Sequence, residues 1–320
     1  MDLTVVVVSW NTRALALACV ASVRESLAAA GSVRAELRLV DNGSLDGTAA
    51  AVRRAFPDVD VIALERNRGF AAGCNRGLRG AAGRHVLLLN SDARPLAGSI
   101  EACLALLDTE DDVGIVGPQL LHSDGRLQNS IHNLPTILSE VVPKSLLQRV
   151  ARRRFPSKRS IGTSPLDVEA VTGAAIFARR RMIADIGPLP EEYFFYLEDT
   201  EWCRRARAAG WRVVHLPTAA VSHISGASSK RVDPAGSRIE YHRSLYRFFR
   251  ANRGAGAAAV VVSMRVLKSG WYGLAFSLAA ALSPVWRARW RTQCAVLRWH
   301  LRGCPAESGL AAAAAIARSR

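Results

Sequence analysis

The six cysteines, Cys19, Cys74, Cys103, Cys203, Cys294 and Cys304, form no CxxC pair and follow no regular spacing. That argues against a zinc ribbon and a disulfide framework, and a reducing cytosol is the simpler setting. No basic segment precedes the first apolar run, since Met1-Asp2 leads straight into a strand pattern, so no signal peptide is expected. No apolar run reaches the ~20 residues that a membrane span needs. The best candidate, Ser269–Leu282, meets Lys268 and Arg265 when extended upstream. Helix-turn-helix, zinc-finger and RNA-binding signatures are also missing. Acidic residues are scarce: 27 stand against 43 basic ones, a formal charge of +16. Such an excess calls for an anionic partner, whether nucleic acid, an anionic membrane face or phosphorylated substrates. With no nucleic-acid signature, and with the basic clusters away from the sheet motifs, nucleic acid is not the expected partner.

The position of the charge narrows the choice. Arg152, Arg153, Arg154, Lys158 and Arg159 form one cluster and Arg179, Arg180 and Arg181 another; both also fit a plain solvated face. In the C-terminal stretch Arg287, Arg289, Arg291, Arg298 and Arg302 interleave with Trp286, Trp290 and Trp299. Arginine mixed with tryptophan is typical of helices lying in a membrane interface. Residues 253–320 are therefore expected to form a basic, apolar helical tail, interfacial or re-entrant rather than spanning.

The 320 residues suffice for one large domain with an appendage, or for two modest domains. Residues 3–120 alternate in type. Leu3–Ser9, Glu36–Asp41, Val59–Leu64, His85–Asn90 and Val113–Leu120 read as strands. Thr12–Ala30, Asp46–Phe56, Ala71–Arg79 and Leu96–Leu107 read as helices. Apolar strands without polar alternation, each followed by a helix, predict an α/β fold with a mostly parallel, Rossmann-like sheet covered on both faces. Ligands of such sheets bind beyond the carboxyl ends of the strands. Past residue 120, Asp124-Gly125 predicts a hairpin turn, and Asn133–Pro165 reads as a mobile region. Val168–Ala178 and Trp211–Leu216 read as strands, Asp199–Ala209 and residues 239–252 as helices, and Leu310–Ala317 as an alanine-rich tail helix. The expected division is a catalytic domain over 1–252, with halves 1–120 and 121–252, and the tail over 253–320.

Polar clusters fall where strands should end. Ser9-Trp10-Asn11 suits a base or ribose contact, or else Asn11 or Thr12 caps the next helix. Asp41-Asn42-Gly43-Ser44 offers a carboxylate to a base imide or ribose hydroxyls, or is a turn. Asn67-Arg68-Gly69-Phe70, continuing through Gly73 to Asn75, would let backbone approach a ligand and a helix N-terminus face phosphate; it is otherwise an ordinary strand-to-helix loop. Asn90-Ser91-Asp92 follows an apolar strand, so Asp92 is either a ligand for a divalent cation (Mg²⁺ or Mn²⁺) beside a diphosphate, or a helix cap. Further on, Glu198-Asp199 follows the aromatic run Tyr193–Tyr196. A general base must reach the acceptor hydroxyl; alternatively Asp199 caps its helix and the aromatics are core. His223 is a neutral imidazole ligand or a structural histidine.

In order, the segments VVVSWN, LVDNGSLDGT, NRGFAAGCNRG, LLLNSDA, VTGAAIFARR, FFYLEDTEWCRRARAAGW and VSHISG resemble glycosyltransferase family 2, inverting enzymes of the A-type fold, from Val5 to about Arg250. The chain is similar to the rhamnosyltransferase-like branch, which includes galactofuranosyltransferases. The resemblance implies that Ser9, Asn11, Asp41, Asn67, Gly69, Asn75, Asn90 and Asp92 line the nucleotide sugar. It implies that Asp199, beside Glu198, is the catalytic base, that Gly173 and Trp202 lie on the acceptor side, and that Asp92 and His223 hold the metal. Asn90 replaces the first aspartate of the family's Asp-X-Asp signature, which removes one charge from that site. The implied donor is dTDP-L-rhamnose, with UDP-sugars second. The basic, Trp-rich tail would hold the enzyme at the cytoplasmic face of the membrane through a peripheral contact, beside a lipid-linked or cell-envelope saccharide as acceptor. The competing readings are a non-catalytic nucleotide-sugar-binding protein and, from the charge of +16 alone, a nucleic-acid-binding protein.

Overall fold

The computed structural model of the chain describes residues 1–142, 144–151, 162–224 and 233–316. Along the chain run β1 (Leu3–Ser9), α1 (Arg13–Ala30), β2 (Ala35–Asp41), α2 (Thr48–Ala55), β3 (Asp60–Ala63), α3 (Phe70–Leu78) and β4 (His85–Asn90). Then come β5 (Ala93–Pro95), α4 (Ser99–Thr109), β6 (Val113–Leu121), β7 (Ile131–His132), α5 (Ile137–Val141), α6 (Lys144–Val150), β8 (Leu166–Asp167) and β9 (Ala170–Val171). The chain continues with β10 (Ala175–Arg179), α7 (Arg180–Ile186), α8 (Glu198–Ala208), β11 (Arg212–His223), α9 (Pro234–Ala280), α10 (Pro284–Leu301) and α11 (Leu310–Ile316).

The main sheet has the order β3-β2-β1-β4-β10-β6-β11-β5, with β8 added to β11; β7 and β9 pair separately. The first four strands are parallel, as the unbroken apolar runs require of a sheet covered on both faces. Leu87, Leu88 and Leu89 of β4 are fully buried. Each such side chain contributes about 1.5–3 kcal/mol of burial free energy. Two features depart from the expected order. The reading of Val168–Ala178 as one strand gives way to two short ones, β9 and β10, and β10 inserts antiparallel between β4 and β6. Strand β11 runs on past Leu216 to His223, with a register shift between Leu216 and Ala220, and its end pairs antiparallel with β5. The Asp124-Gly125 turn is present: His122 N–H donates to Arg126 O, and Gly125 takes φ +80°.

The described residues fall into two compact units. The first lies within Met1–Leu134, Arg152–Phe194 and Glu198–Ser228; the second lies within Pro135–Ala151, Phe195–Leu197 and Ser229–Arg320. The expected boundary at residue 252 therefore falls inside a helix of the second unit. Near that point Gly254, at φ +84° and ψ +169°, breaks α9 into two helices. The second unit has its own core: Leu245, Phe249, Ala258 and Val261, with Leu197 and Tyr241 against them. The stretch Asn133–Pro165, expected to be mobile, contains α5 and α6. Helix α5 starts with a reciprocal cap between Thr136 and Ser139, and Glu140 ion-pairs with Arg265 of α9. The basic cluster at Arg152, Arg153, Arg154, Lys158 and Arg159 lies outside the described residues, as does Ala317. All six cysteines are free. Among the described residues no helix is long and apolar enough to cross a membrane.

Candidate active site

Strand register gathers the polar clusters at one edge of the first unit. Ser9 pairs with Asp41, Val8 with Asn90, and Asp41 with Ala63, so β1, β2, β3 and β4 end together. Because β10 runs antiparallel beside β4, its leading residues arrive at the same edge: Asn90 N–H donates to Ala174 O at 3.0 Å. Gly173 stands one residue earlier, and its N–H donates to Asp199 Oδ2 at 2.7 Å. Thus Asp199, at the start of α8, is anchored beside the end of β4 although more than a hundred residues separate the two.

The environment of Asp199 fits a base. Burial raises its pKa above the ordinary carboxylate value of 3.8, against hydrogen bonds from Gly173 N–H, Thr200 N–H and Thr200 Oγ1 that lower it. Desolvation wins, so the carboxylate is a stronger proton acceptor than one in water. Oδ1 takes the Thr200 N–H at 2.6 Å and the Thr200 hydroxyl, its immediate neighbour within α8, and among the described residues Oδ2 takes Gly173 N–H alone. A carboxylate oxygen has two lone-pair directions, so Oδ2 has capacity for a second donor beside Gly173 N–H. A Cβ added at Gly173 would meet Asp199 Oδ2 at 3.1 Å, so glycine here allows the close approach.

The second constellation forms where β5 meets the end of β11. Asp92 directly precedes β5, and His223, which ends β11, pairs with Ala93. His223 Nε2 lies 3.3 Å from Asp92 Oδ1, and both side chains are nearly buried. The other ring nitrogen, Nδ1, is 2.6 Å from Gln128 Oε1. An imidazole nitrogen and a carboxylate oxygen thus converge. Adjacent ligands of an octahedral cation with bonds of about 2.1 Å stand about 3.0 Å apart, so this pair fits two corners of such a shell. Among the described residues no group of three or more His, Cys, Asp and Glu assembles. The remaining oxygens of a bound divalent cation would come from a diphosphate and water.

The other expected ligand-binding residues mostly brace loops. Asp41 accepts from Ser44 N–H and Ala49 N–H, holding the turn before α2. Asn11, at φ +51°, accepts from Leu45 N–H and donates its own N–H to Ser44 Oγ, pinning the same turn. Ser9 Oγ, Thr12 Oγ1 and Ser91 Oγ form a hydroxyl chain with 2.8 Å links, which ties the end of β1 to that of β4. Asn67 Oδ1 accepts from Gly69 N–H and from Asn42 Nδ2.

Three expectations change. Gly69, at φ +92°, and Gly73 make room for protein rather than ligand: a Cβ at Gly69 would meet Phe194 O at 2.5 Å, and one at Gly73 would meet Val8 Cγ1 at 2.8 Å. Asn75 is buried, and its amide is committed to Leu189 N–H, Leu189 O and Glu191 Oε1. Trp202, expected on the acceptor side, has no exposed surface, and its indole N–H donates to Gly187 O. Two further residues take part without having been assigned a role from the sequence, Asn42 although it stands in the Asp41–Ser44 cluster. Asn42 clamps the Asn67–Gly69 loop through Arg68 N–H, Asn67 Oδ1 and Gly69 O. Gln128 holds His223, and an isolated glutamine after a turn carries no motif.

Comparison with known proteins agrees with this geometry. Residues 4–187, more than half of the chain, match the model of glycosyl transferase family 2. The N-acetylglucosaminyl-diphospho-decaprenol L-rhamnosyltransferase of Mycobacterium tuberculosis is 30% identical over 239 residues, covering 68% of this chain and 75% of that one. The dTDP-rhamnosyl transferase RfbF of Shigella flexneri is 23% identical, covering 60% of each. Among solved structures, the mannosyltransferase PcManGT of Pyrobaculum calidifontis, in complex with GDP-Man and Mn²⁺, superposes with a TM-score of 0.54 at 18% identity, covering 94% of this chain and 86% of that one. That structural likeness speaks for the A-type fold alone. The family match and the mycobacterial relative go further, and with them the chain belongs to glycosyltransferase family 2, as an inverting glycosyltransferase of the rhamnosyltransferase-like kind.

Proposed function

We propose that this enzyme transfers L-rhamnose from dTDP-L-rhamnose to a hydroxyl of a lipid-linked saccharide in cell-envelope polysaccharide synthesis, working at the cytoplasmic face of the membrane. The observation that carries the reading is the placement of Asp199, held by Gly173 beside the strand end that bears Asn90 and Asp92. The choice of donor and acceptor is supported by what the Shigella and mycobacterial relatives are named for. A UDP-sugar such as UDP-galactofuranose is the second reading.

The chemistry is a single displacement. Asp199 Oδ2 accepts the proton of the acceptor hydroxyl. That oxygen forms the new bond to the anomeric carbon as the bond to the nucleoside diphosphate breaks on the opposite face, which inverts the anomeric centre. Asp92 and His223 would hold a divalent cation, Mg²⁺ or Mn²⁺, which when bound offsets the charge of the diphosphate. The loops braced by Asp41, Asn11, Ser9 and Asn67 form the rim for the nucleotide.

The membrane contact rests on the second unit. Leu267, Trp271, Leu274 and Leu278 recur at spacings of three and four along α9, and with Leu282 beyond it all are exposed. Burying each contributes about 1.5–3 kcal/mol. No carboxylate occurs between Arg253 and Ala306, and Lys268, Arg287, Arg289 and Arg291 are exposed around this stripe. Each adds about 1 kcal/mol near an anionic leaflet. Trp286 is exposed with Arg289 stacked over it at 4.7 Å, which suits a headgroup layer. Trp299, grouped with it in the sequence, is instead buried against Tyr246 in the core of this unit.

The test is a screen of dTDP-rhamnose, UDP-galactofuranose, UDP-glucose and GDP-mannose for slow hydrolysis with Mg²⁺ or Mn²⁺. Turnover of dTDP-rhamnose above the others supports the reading. Preferential turnover of another sugar replaces the donor, and binding without any turnover favours the non-catalytic alternative.

A further inference from the structure

Gln128 has no role in any motif, yet its side chain is buried and every polar atom on it is used. Its Nε2 donates to the backbone carbonyl of His223 at 3.2 Å and lies 3.1 Å from His122 Nδ1. Its Oε1 lies 2.6 Å from His223 Nδ1. The carbonyl of His223 is an acceptor in every protonation state, so it decides which end of the amide faces it. The reversed amide would set two oxygens against each other at 3.2 Å. With Nε2 fixed on the carbonyl, Oε1 must face the ring, and an amide oxygen only accepts. His223 Nδ1 therefore carries a hydrogen. In the neutral ring this leaves Nε2 with a free lone pair, 3.3 Å from Asp92 Oδ1.

A lone pair facing a carboxylate oxygen is repulsive until a cation comes to both. The backbone supports the same geometry. Gln128 N–H donates to Leu120 O, and Gln119 Nε2 donates to Gln128 O. Leu120 pairs in register with Val221 of β11, two residues before His223. The glutamine is thus built from the neighbouring strand and aimed across at the histidine.

We infer that Gln128 is a positioning residue, which locks His223 in the Nδ1–H tautomer and so presents Nε2, with Asp92, as a preformed nitrogen-and-oxygen pair for a divalent cation. The inference rests on the proposed cation-binding role of Asp92 and His223. It also answers the charge lost at Asn90: with one carboxylate fewer, the imidazole must offer its lone pair without first rearranging. Partners that orient a ligating histidine in this way are worth about 10–100-fold in metal affinity.

The test uses the full chain and Mn²⁺ alone, titrated by electron paramagnetic resonance, with the His223 tautomer read from ¹⁵N chemical shifts of the side chain. His223→Ala and Asp92→Asn test the underlying reading. If both bind Mn²⁺ like the wild type, the cation site itself is wrong. Gln128→Leu removes the acceptor, and Gln128→Glu keeps one. With the inference correct, Gln128→Leu shifts His223 toward Nε2–H and weakens Mn²⁺ about 10–100-fold, while Gln128→Glu gives up the donor to the His223 carbonyl but keeps an acceptor for the ring, so it retains the Nδ1–H tautomer and weakens Mn²⁺ less than Gln128→Leu. Equal losses in both Gln128 variants would mean that the glutamine only supports the fold locally, which overturns the inference. Wild-type Mn²⁺ affinity in Gln128→Leu, with His223→Ala impaired, also overturns it.

Discussion

Replacing Asp199 by asparagine removes the proton acceptor and leaves the shape of the site nearly unchanged. The amide keeps one oxygen for the Gly173 N–H that Oδ2 takes now at 2.7 Å, and its NH₂ then faces the Thr200 N–H that Oδ1 takes at 2.6 Å, so that one contact is lost. What disappears is the lone pair of an anionic oxygen. A positioned general base contributes about 10²–10⁴-fold, or about 2.7–5.5 kcal/mol of barrier. Transfer by Asp199→Asn should therefore fall at least ~100-fold, with donor affinity unchanged. The pH profile supplies a second check. Asp199 must be ionised to act, and burial places its pKa above 3.8, so wild-type activity rises with pH along a limb displaced above the ordinary carboxylate range. That limb should vanish from the residual activity of the variant. Stability moves the other way. A raised pKa in the folded state means that the ionised group opposes folding: its contribution is fully present below 3.8 and is lost as pH rises through the folded-state pKa. The asparagine variant escapes that loss but leaves one backbone N–H without its acceptor, at about 1–3 kcal/mol, so the two effects oppose each other and the net change in stability at neutral pH should be small. Product formation is measured by chromatography with saturating donor, and unfolding by denaturant titration. Turnover within about threefold of wild type would refute the base assignment, because it would leave less than ~0.7 kcal/mol for the lost base.

Other perturbations follow from the same geometry. Trp202→Ala empties a fully buried site and should lower the unfolding free energy by about 3–5 kcal/mol; a selective rise in acceptor KM without loss of stability would restore its acceptor role. Gly69→Ala places a Cβ 2.5 Å from Phe194 O at φ +92° and should cost at least about 1–3 kcal/mol in backbone strain alone, seen as a lowered denaturation midpoint. Leu274→Asp with Leu278→Asp sets charge into the exposed stripe and should abolish sedimentation with anionic vesicles while sparing donor hydrolysis. Co-sedimentation equal to wild type would remove the stripe from the membrane contact.

Much of the first unit was legible because its cause is local. An unbroken apolar run such as Leu3–Ser9 can satisfy its side chains only inside a covered sheet, and the residues that follow it must then emerge at a carboxyl end. That reasoning placed Ser9, Asp41, Asn90 and Asp92 at one edge before any contact was known. The branch of the family was legible as well, because several motifs stand in order along the chain. The tail was half legible: its composition pointed to an interface, but α5, packed on α9 through Glu140 and Arg265, did not look helical in a stretch of proline, serine and arginine.

Only the tertiary structure decided what each polar group faces. Asparagine and glycine after a strand serve a ligand or a loop equally well by their chemistry. It took the packing of Phe194 over Gly69, and of Leu189 and Glu191 on Asn75, to commit these residues to the protein. The antiparallel insertion of β10 brings Gly173, and through it Asp199, to the end of β4. The pairing of β5 with β11 brings His223 to Asp92, and a glutamine from the adjoining turn then determines which nitrogen His223 presents. Local sequence specifies strands and turns, because those depend on neighbours in the chain. Hydrogen-bond partners across a sheet depend on register between distant segments, and register is settled only when the whole core closes.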